Sequence, residues 1–394
     1  MTTSLPPPSP AALAHCHLVE SRLRDEIAAA GGWLPFDRFM ELALYAPGLG
    51  YYSAGLRKFG SGLDKFGGDF TTAPEMTALF GQTLAHQAAQ ALDLAGGDIL
   101  EIGAGSGRLA LDLLRELKTL GRLPERYLIL DVSADLRQRQ HRLLEERAPQ
   151  MLERVVWLDT LPETFSGLIL GNEVLDAMPV QMLAWRGADL FERGVEWRDE
   201  TFHWSERKLT EGELFDRAGQ LPPARDAQRG AYLSEIGLAA SAFVATLAER
   251  LERGVMLFID YGFGAQEFYH PQRDQGTLMC HYRHHAHDDP FYLPGLQDIT
   301  AHVDFSAIAQ QGLSHGLQLL GYTTQANFLI NCGLTDILAR TSPEDVSTYL
   351  PLAAQAQKLL SPAEMGELFK VVALGKGITP PLLGFARGDK RYLL

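Results

Sequence analysis

Residues 99–110 read Ile99-Leu-Glu-Ile-Gly-Ala-Gly-Ser-Gly-Arg-Leu-Ala110. The first four residues form a short, mostly apolar strand. Gly103, Gly105 and Gly107 follow at G-x-G-x-G spacing, and Arg108–Leu120 then carries a helical pattern. Glycines at such a place allow a tight turn and let a ligand approach the backbone closely, although a glycine turn also serves as a plain helix cap. Outward from this unit the chain keeps alternating. Strands are expected at Tyr127–Val132, Val155–Leu158, Leu168–Leu170, Gly254–Ile259, Tyr322–Ala326 and Phe369–Leu374, and a helix at Asp135–Glu146. That alternation implies an α/β fold with a doubly wound parallel sheet.

Other stretches break the pattern. Residues 182–204 read as an antiparallel hairpin or meander, 205–230 as a surface loop, and Ser234–Arg253 as one long helix. Residues 263–303 read as a polar, aromatic, His-rich insertion and 331–366 as a helical one. Upstream, helices are expected over 11–30, Phe36–Tyr45 and 75–94. Between them, 46–74 is a long loop rich in glycine and aromatics, of the kind that is usually functional. The expected division is a helical cap with a lid loop over 1–94 and a main domain over 95–394.

The chain has 394 residues, 46% of them hydrophobic and 21% charged, enough for a sizeable core without a disulfide or metal staple. The net charge of −14 argues against a nucleic-acid binder, which needs a basic face, and permits a cationic substrate. The last 94 residues carry no net charge, so the acidity lies upstream. Cys16, Cys280 and Cys332 are too scattered for a disulfide framework and suit a reducing compartment. No apolar run approaches the ~18–20 residues of a membrane span. The proline-rich start has neither a signal peptide's apolar stretch nor an Arg-rich transit pattern. A soluble, cytoplasmic protein with a short disordered lead is expected.

The pattern Glu101-x-Gly103-x-Gly105-x-Gly107 resembles motif I of class I S-adenosylmethionine-dependent methyltransferases. Dinucleotide loops place the third glycine one position later, where this chain has Arg108. A dinucleotide or a structural turn is the alternative reading. By the same resemblance Glu101 orders the loop around the methionine end of the cofactor. Asp131 ends the next strand, where a carboxylate accepts hydrogen bonds from two ribose hydroxyls; capping the following helix is the alternative, which Ser133 or Asp135 fills equally well. Trp157 and Asp159 suit an adenine, the first by stacking and the second by accepting from the exocyclic amine, while Trp157 reads equally as core.

The fourth strand ends in Gly171-Asn-Glu-Val-Leu-Asp-Ala-Met-Pro-Val180. Asn172 offers an amide, and Glu173 and Asp176 offer carboxylates for a cationic acceptor, with a helix cap as the bland alternative. Tyr261, after Asp260, lines an acceptor pocket or makes a buried hydrogen bond. His302 and Asp304 are acceptor-site candidates, Asp304 equally a cap for the helix at Phe305. His281, His284, His285 and His287 match no structural zinc spacing, so a polar lid or substrate-facing loop is expected there and no metal.

Together with Tyr45-Ala-Pro-Gly-Leu-Gly-Tyr-Tyr52, Gly68-Asp-Phe-Thr-Thr-Ala-Pro-Glu75, Asp260-Tyr-Gly262 and Asp298-Ile-Thr-Ala-His-Val-Asp-Phe305, these strings run through nearly the whole chain. The chain is similar to the MidA-like methyltransferases, whose mitochondrial members are assembly factors for respiratory complex I. The resemblance implies a class I methyltransferase sheet with a final antiparallel strand, an N-terminal cap and two lid-like insertions. It also implies symmetric dimethylation of an arginine by the mitochondrial members, with this chain as a bacterial relative. The ribose acid is more often Glu in that family, and here it is Asp131. The loop holding Gly68, Asp69, Thr71, Thr72 and Glu75 is expected to close over the methionine end.

These readings imply S-adenosyl-L-methionine as cofactor and an arginine-bearing protein as acceptor, a respiratory complex subunit among the candidates. No nucleic acid and no membrane span are expected, and a homodimer is allowed. Two alternatives stand beside this one: a small-molecule methyltransferase, and an assembly factor that binds the cofactor without turnover. The intact glycine loop, Asp131 and Asn172-Glu173 weigh against the second.

Overall fold

Asp98–Ile102 (β1) is buried along its whole length, as befits a parallel strand covered on both faces. In the computed structural model, which describes residues 5–54, 72–221, 230–379 and 381–394, this strand lies at the centre of a sheet. With it run β2 (Tyr127–Leu130), β3 (Val155–Leu158), β4 (Phe165–Asn172), β5 (Leu251–Phe263), β6 (Gln318–Thr324) and β7 (Phe369–Lys376). Their order is β3-β2-β1-β4-β5-β7-β6. The first five are parallel, and β7 is antiparallel to both of its neighbours. The order reverses between β1 and β4, and open α/β sheets bind ligands at such a switch point. This is the class I methyltransferase sheet, with its last strand in chain order inserted antiparallel between β5 and β6.

The sheet belongs to a unit made of Thr71–Leu175, Phe243–Gly262 and Phe305–Leu394. Helix α1 (Ala78–Ala95), read above as part of the cap, packs in this unit's core through Phe80, Leu84 and Ala88. Helix α2 (Arg108–Thr119) buries Leu109, Leu113 and Leu117, one stripe at helical spacing. Helix α3 (Ala134–Arg147) starts at Ser133, whose side chain accepts from the Leu136 N–H. It buries Leu136, Gln140 and Leu144. The helical segment near 331–366 holds helices Leu334–Leu338 and Val346–Leu360. It is tied to α2 by Arg340, which grips the Glu116 carboxylate through both terminal nitrogens at 2.8 and 3.0 Å.

The second unit comprises Met1–Phe70, Asp176–Ala242 and Phe263–Asp304. Helices Pro10–Ala29 and Phe36–Tyr45 accompany a mostly antiparallel sheet of Gln181–Arg186, Asp189–Arg198, Thr201–Lys208, Tyr232–Ile236 and the short Leu34–Pro35. The aromatic cluster of Phe36, Phe39, Phe202, Trp204 and Phe291 fills its core. The His-rich segment is ordered into a three-stranded sheet, Met279–Tyr282, His285–His287 and Asp298–Thr300. Among the described residues no group of His, Cys, Asp and Glu is placed to hold a metal, and no helix is long and apolar enough to cross a membrane.

Two expectations are corrected. Ser234–Arg253 is not one helix: Tyr232–Ile236 is a strand, Leu238–Arg250 a helix, and Leu251 already begins β5. Ser234 pairs with Leu183 in the ladder, and the buried Glu235 carboxylate accepts N–H groups from Thr277 and Leu278 at 2.7 and 2.9 Å. Those long-range bonds outweigh local helical propensity. Residues 205–230 are also not simply a loop, because the strand runs to Lys208 and Glu213–Gln220 is helical.

Candidate functional site

The turn after β1 is built for close approach. Gly103, Gly105 and Gly107 have φ of 66°, 54° and 87°, all left-handed. A Cβ at Gly103 would come within 3.2 Å of Val174, and one at Gly107 would meet Gln140 at the same distance. The turn is pinned by the Gly103 N–H on Leu130 O (2.9 Å) and the Gly107 N–H on Ala104 O (2.8 Å). Just inside the strand, Glu101 is 2% exposed and accepts from the Tyr127 hydroxyl at 2.7 Å. Burial pushes its carboxyl up to about 7, the Tyr127 bond opposes that, and the nearby Asp131 charge adds to it.

Asp131 follows β2 and is held at both oxygens. Oδ1 accepts from the Ser133 N–H and Oδ2 from Gln140 Nε2, each at 2.9 Å. Ser133, not Asp131, caps α3. Gln140 also donates to Gly105 O and accepts from the Trp157 indole N–H, again at 2.9 Å in both cases. One amide thus joins the glycine turn, the end of β2 and Trp157 on β3. Asp159 stands apart: its side chain is 91% exposed and ion-paired with Arg137 at 2.6 Å. Arg137 also donates to Asp131 O and Leu158 O, tying the ends of β2 and β3 together.

On the other side of the turn, the Ser106 hydroxyl donates to Glu75. Burial holds the Glu75 carboxyl above its ordinary value, while Ser106 and Arg108 pull it down. Thr72 immediately precedes the short helix Ala73–Met76. Gly68, Asp69 and Thr71 lie outside the described residues.

At the end of β4, Glu173 has φ of 53°, unusual for a residue with a side chain. Its N–H donates to Ile259 O at 2.8 Å. The next two N–H groups, of Val174 and Leu175, both donate to Asp260 Oδ2, at 3.1 and 2.9 Å. Asp260 is 1% exposed. A carboxylate on β5 therefore fixes the turn that carries Asn172 and Glu173. Asn172 donates its amide hydrogen to Glu173 Oε1 at 3.1 Å, and its own Oδ1 is buried with no protein partner among the described residues. Tyr261 packs its ring edge-on against Phe369.

Three candidates belong to the other unit. Asp176 is buried, and its backbone oxygen accepts from Ala301 N–H. Its charge acts on Tyr45 and Tyr52, which stack at 5.4 Å. Tyr45 donates to Ala177 O and Tyr52 to Asp298, and burial raises both hydroxyls before the two aspartates add to it. His302 stacks on Phe263 at 5.3 Å, and Asp304 hydrogen-bonds with Tyr269.

Sequence reasoning missed Gln140, and the signal was there: one amide within the apolar stripe Leu136, Gln140, Leu144. It also named Asp260 only as a strand end. A glycine-rich turn, a held carboxylate just after β2 and, at the end of β4, a buried amide oxygen with no protein partner among the described residues together suit a nucleoside joined to an amino acid.

Known proteins bear on this arrangement. The model of a family described as S-adenosyl-L-methionine-dependent methyltransferase matches residues 83–323, more than half of the chain. A crystal structure of a Burkholderia thailandensis protein bound to S-adenosyl-homocysteine is 52% identical, with a TM-score of 0.95, over 99% of this chain and 100% of that one. The Drosophila melanogaster protein arginine methyltransferase NDUFAF7 homolog, mitochondrial, is 27% identical over 93% of this chain and 88% of its own. The Mus musculus protein arginine methyltransferase NDUFAF7, mitochondrial, is 29% identical over 78% and 74%.

Proposed function

The chain belongs to the MidA-like family of S-adenosyl-L-methionine-dependent methyltransferases, and from that premise we propose that it methylates an arginine nitrogen of a protein. S-adenosyl-L-methionine, when bound, supplies a methyl group on a positively charged sulfur. The residues that would hold it are Gly103, Gly105 and Gly107 with Glu101, Asp131, Trp157 and Glu75. Arginine stays protonated near neutral pH, so its nitrogen must be oriented and must lose a proton as the methyl arrives. Glu173 is the group suited to both tasks. Its carboxylate can accept guanidinium N–H groups in a paired arrangement and take the proton. Asn172 orients that carboxylate from beside it.

The observation that carries this reading is the backbone of Glu173. A left-handed conformation at a residue with a side chain is strained and persists only where the surroundings hold it. Ile259 O and Asp260 hold it here. The arginine specificity is further supported by the names of the relatives at 27 and 29% identity. Glu173→Gln tests the assignment, with cofactor binding and methyl transfer measured separately. S-adenosyl-homocysteine should bind as in the parent, while transfer falls by about a hundredfold or more, the usual contribution of a general base. Full transfer with normal binding excludes the role.

A further inference from the structure

Gln140 occupies the middle of the buried stripe of α3 and has no exposed surface. A leucine would continue the stripe. Burying an amide there is unfavourable unless each polar atom finds a partner. All of them do: Nε2 donates to Gly105 O and Asp131 Oδ2, and Oε1 accepts from Trp157 Nε1. The orientation of the amide is not arbitrary. Flipped, it would set its NH2 against the indole N–H and its oxygen against a carbonyl and a carboxylate. The three partners come from three different strand ends and share no other common side chain among these bonds. The second Asp131 oxygen is held by the Ser133 N–H, so the carboxylate is fixed at both ends.

We propose that Gln140 is the positioning residue of the adenosine half of the cofactor site. It aims the Asp131 carboxylate at the ribose hydroxyls, sets the Trp157 ring edge and fixes the carbonyl of the glycine turn, without itself touching the cofactor. Recognition of the ribose is thereby set from behind the site by one amide. This rests on Asp131 as the ribose acceptor and is independent of what the methyl acceptor is.

The test compares S-adenosyl-homocysteine with its 2′-deoxyribose analogue, by calorimetry, with no methyl acceptor present. The parent should prefer the ribose form by about tenfold, the size of one well-placed hydrogen bond. Asp131→Ala should abolish that preference. Gln140→Leu should abolish most of it, and adding it to Asp131→Ala should change the ribose preference no further, because on the ribose the two act through one bond. Gln140→Glu guards against a folding defect. It has nearly the same size and still accepts from Trp157, but in its ionised form, read at alkaline pH, it cannot donate to Asp131 and sets a like charge beside it. It should lose the preference as fully as Gln140→Leu, with both variants checked for a cooperative melt. A merely structural amide would weaken both ligands equally. Retained ribose preference in Gln140→Glu or Gln140→Leu, where Asp131→Ala has lost it, overturns the proposal. Retained preference in Asp131→Ala itself overturns both it and the ribose reading. Neither result touches the arginine reading, which is decided by where the methyl group goes.

Discussion

Tyr127 donates its hydroxyl hydrogen to Glu101 across the β1–β2 pair, at 2.7 Å, with both side chains sealed from solvent. The carboxyl is held up to about 7 in the folded chain against an ordinary value of 4.5. Folding therefore favours the protonated form. The stabilisation from this group is complete below about pH 4.5, declines as pH rises and is gone above about 7, with a full swing on the order of 3 kcal/mol. Asp112, also pushed up by burial to about 6, loses stability over an overlapping range. Glu101→Gln keeps an acceptor for Tyr127 and removes one slope only. Its melting temperature should fall less between about pH 5 and 7 than the parent's. Equal slopes contradict the assignment.

Gly107 precedes α2 at φ of 87°, with Gln140 3.2 Å from where a Cβ would stand. Gly107→Ala should cost roughly 1–2 kcal/mol from the left-handed backbone alone. It should also displace Gln140 and weaken S-adenosyl-homocysteine binding. Thermal melting and calorimetry on the same sample check both, and unchanged binding contradicts the tight packing of turn against helix.

Asp260 accepts from the two N–H groups that follow Glu173. Asp260→Asn retains an oxygen for both but turns its NH2 toward the Tyr261 N–H that Oδ1 accepts at 3.0 Å, so it should lose less than Asp260→Ala without matching the parent. Asp260→Ala leaves three N–H groups, of Val174, Leu175 and Tyr261, without this acceptor, at a cost of about 1–3 kcal/mol for each one left unsatisfied. Methyl transfer should then drop much further than cofactor affinity. A parallel loss of both in steady-state kinetics and calorimetry contradicts the view that Asp260 serves the acceptor side.

Arg340 covers the Glu116 carboxylate, which is 4% exposed and also lies 3.4 Å from His86. Arg340→Ala leaves that charge buried with a weaker partner and should destabilise the fold by about 2–3 kcal/mol, read as a lower melting temperature. The double variant Arg340→Ala with Glu116→Gln should recover part of the loss. No recovery contradicts a charge-driven cost.

How much of this was legible in the sequence depends on the range of the interaction. The strand, glycine turn and helix at 98–119 are dictated by neighbours a few residues apart, and Phe36–Tyr45 and Val155–Leu158 were placed for the same reason. Tyr232–Ile236 was not, because its strand state depends on Leu183 and on Thr277 and Leu278, far away in the chain. The same holds at the site. Gly103, Gly105, Gly107 and Asp131 announce themselves through turn chemistry at strand ends. Gln140 shows in the sequence only as an amide within an apolar stripe, and its partners do not show at all, since only the folded sheet brings Gly105, Asp131 and Trp157 to one helix face. Asp159 and Trp157 look equivalent in the sequence, yet one is an exposed partner of Arg137 and the other is tied to a buried amide.

The most direct measurement is to incubate the protein and methyl-labelled S-adenosyl-L-methionine with lysate from a strain lacking it, then map the label by mass spectrometry. The account predicts label on the side-chain nitrogens of arginine in a protein, lost in Glu173→Gln. Label confined to small molecules or to another residue type, or cofactor binding without any transfer, contradicts it.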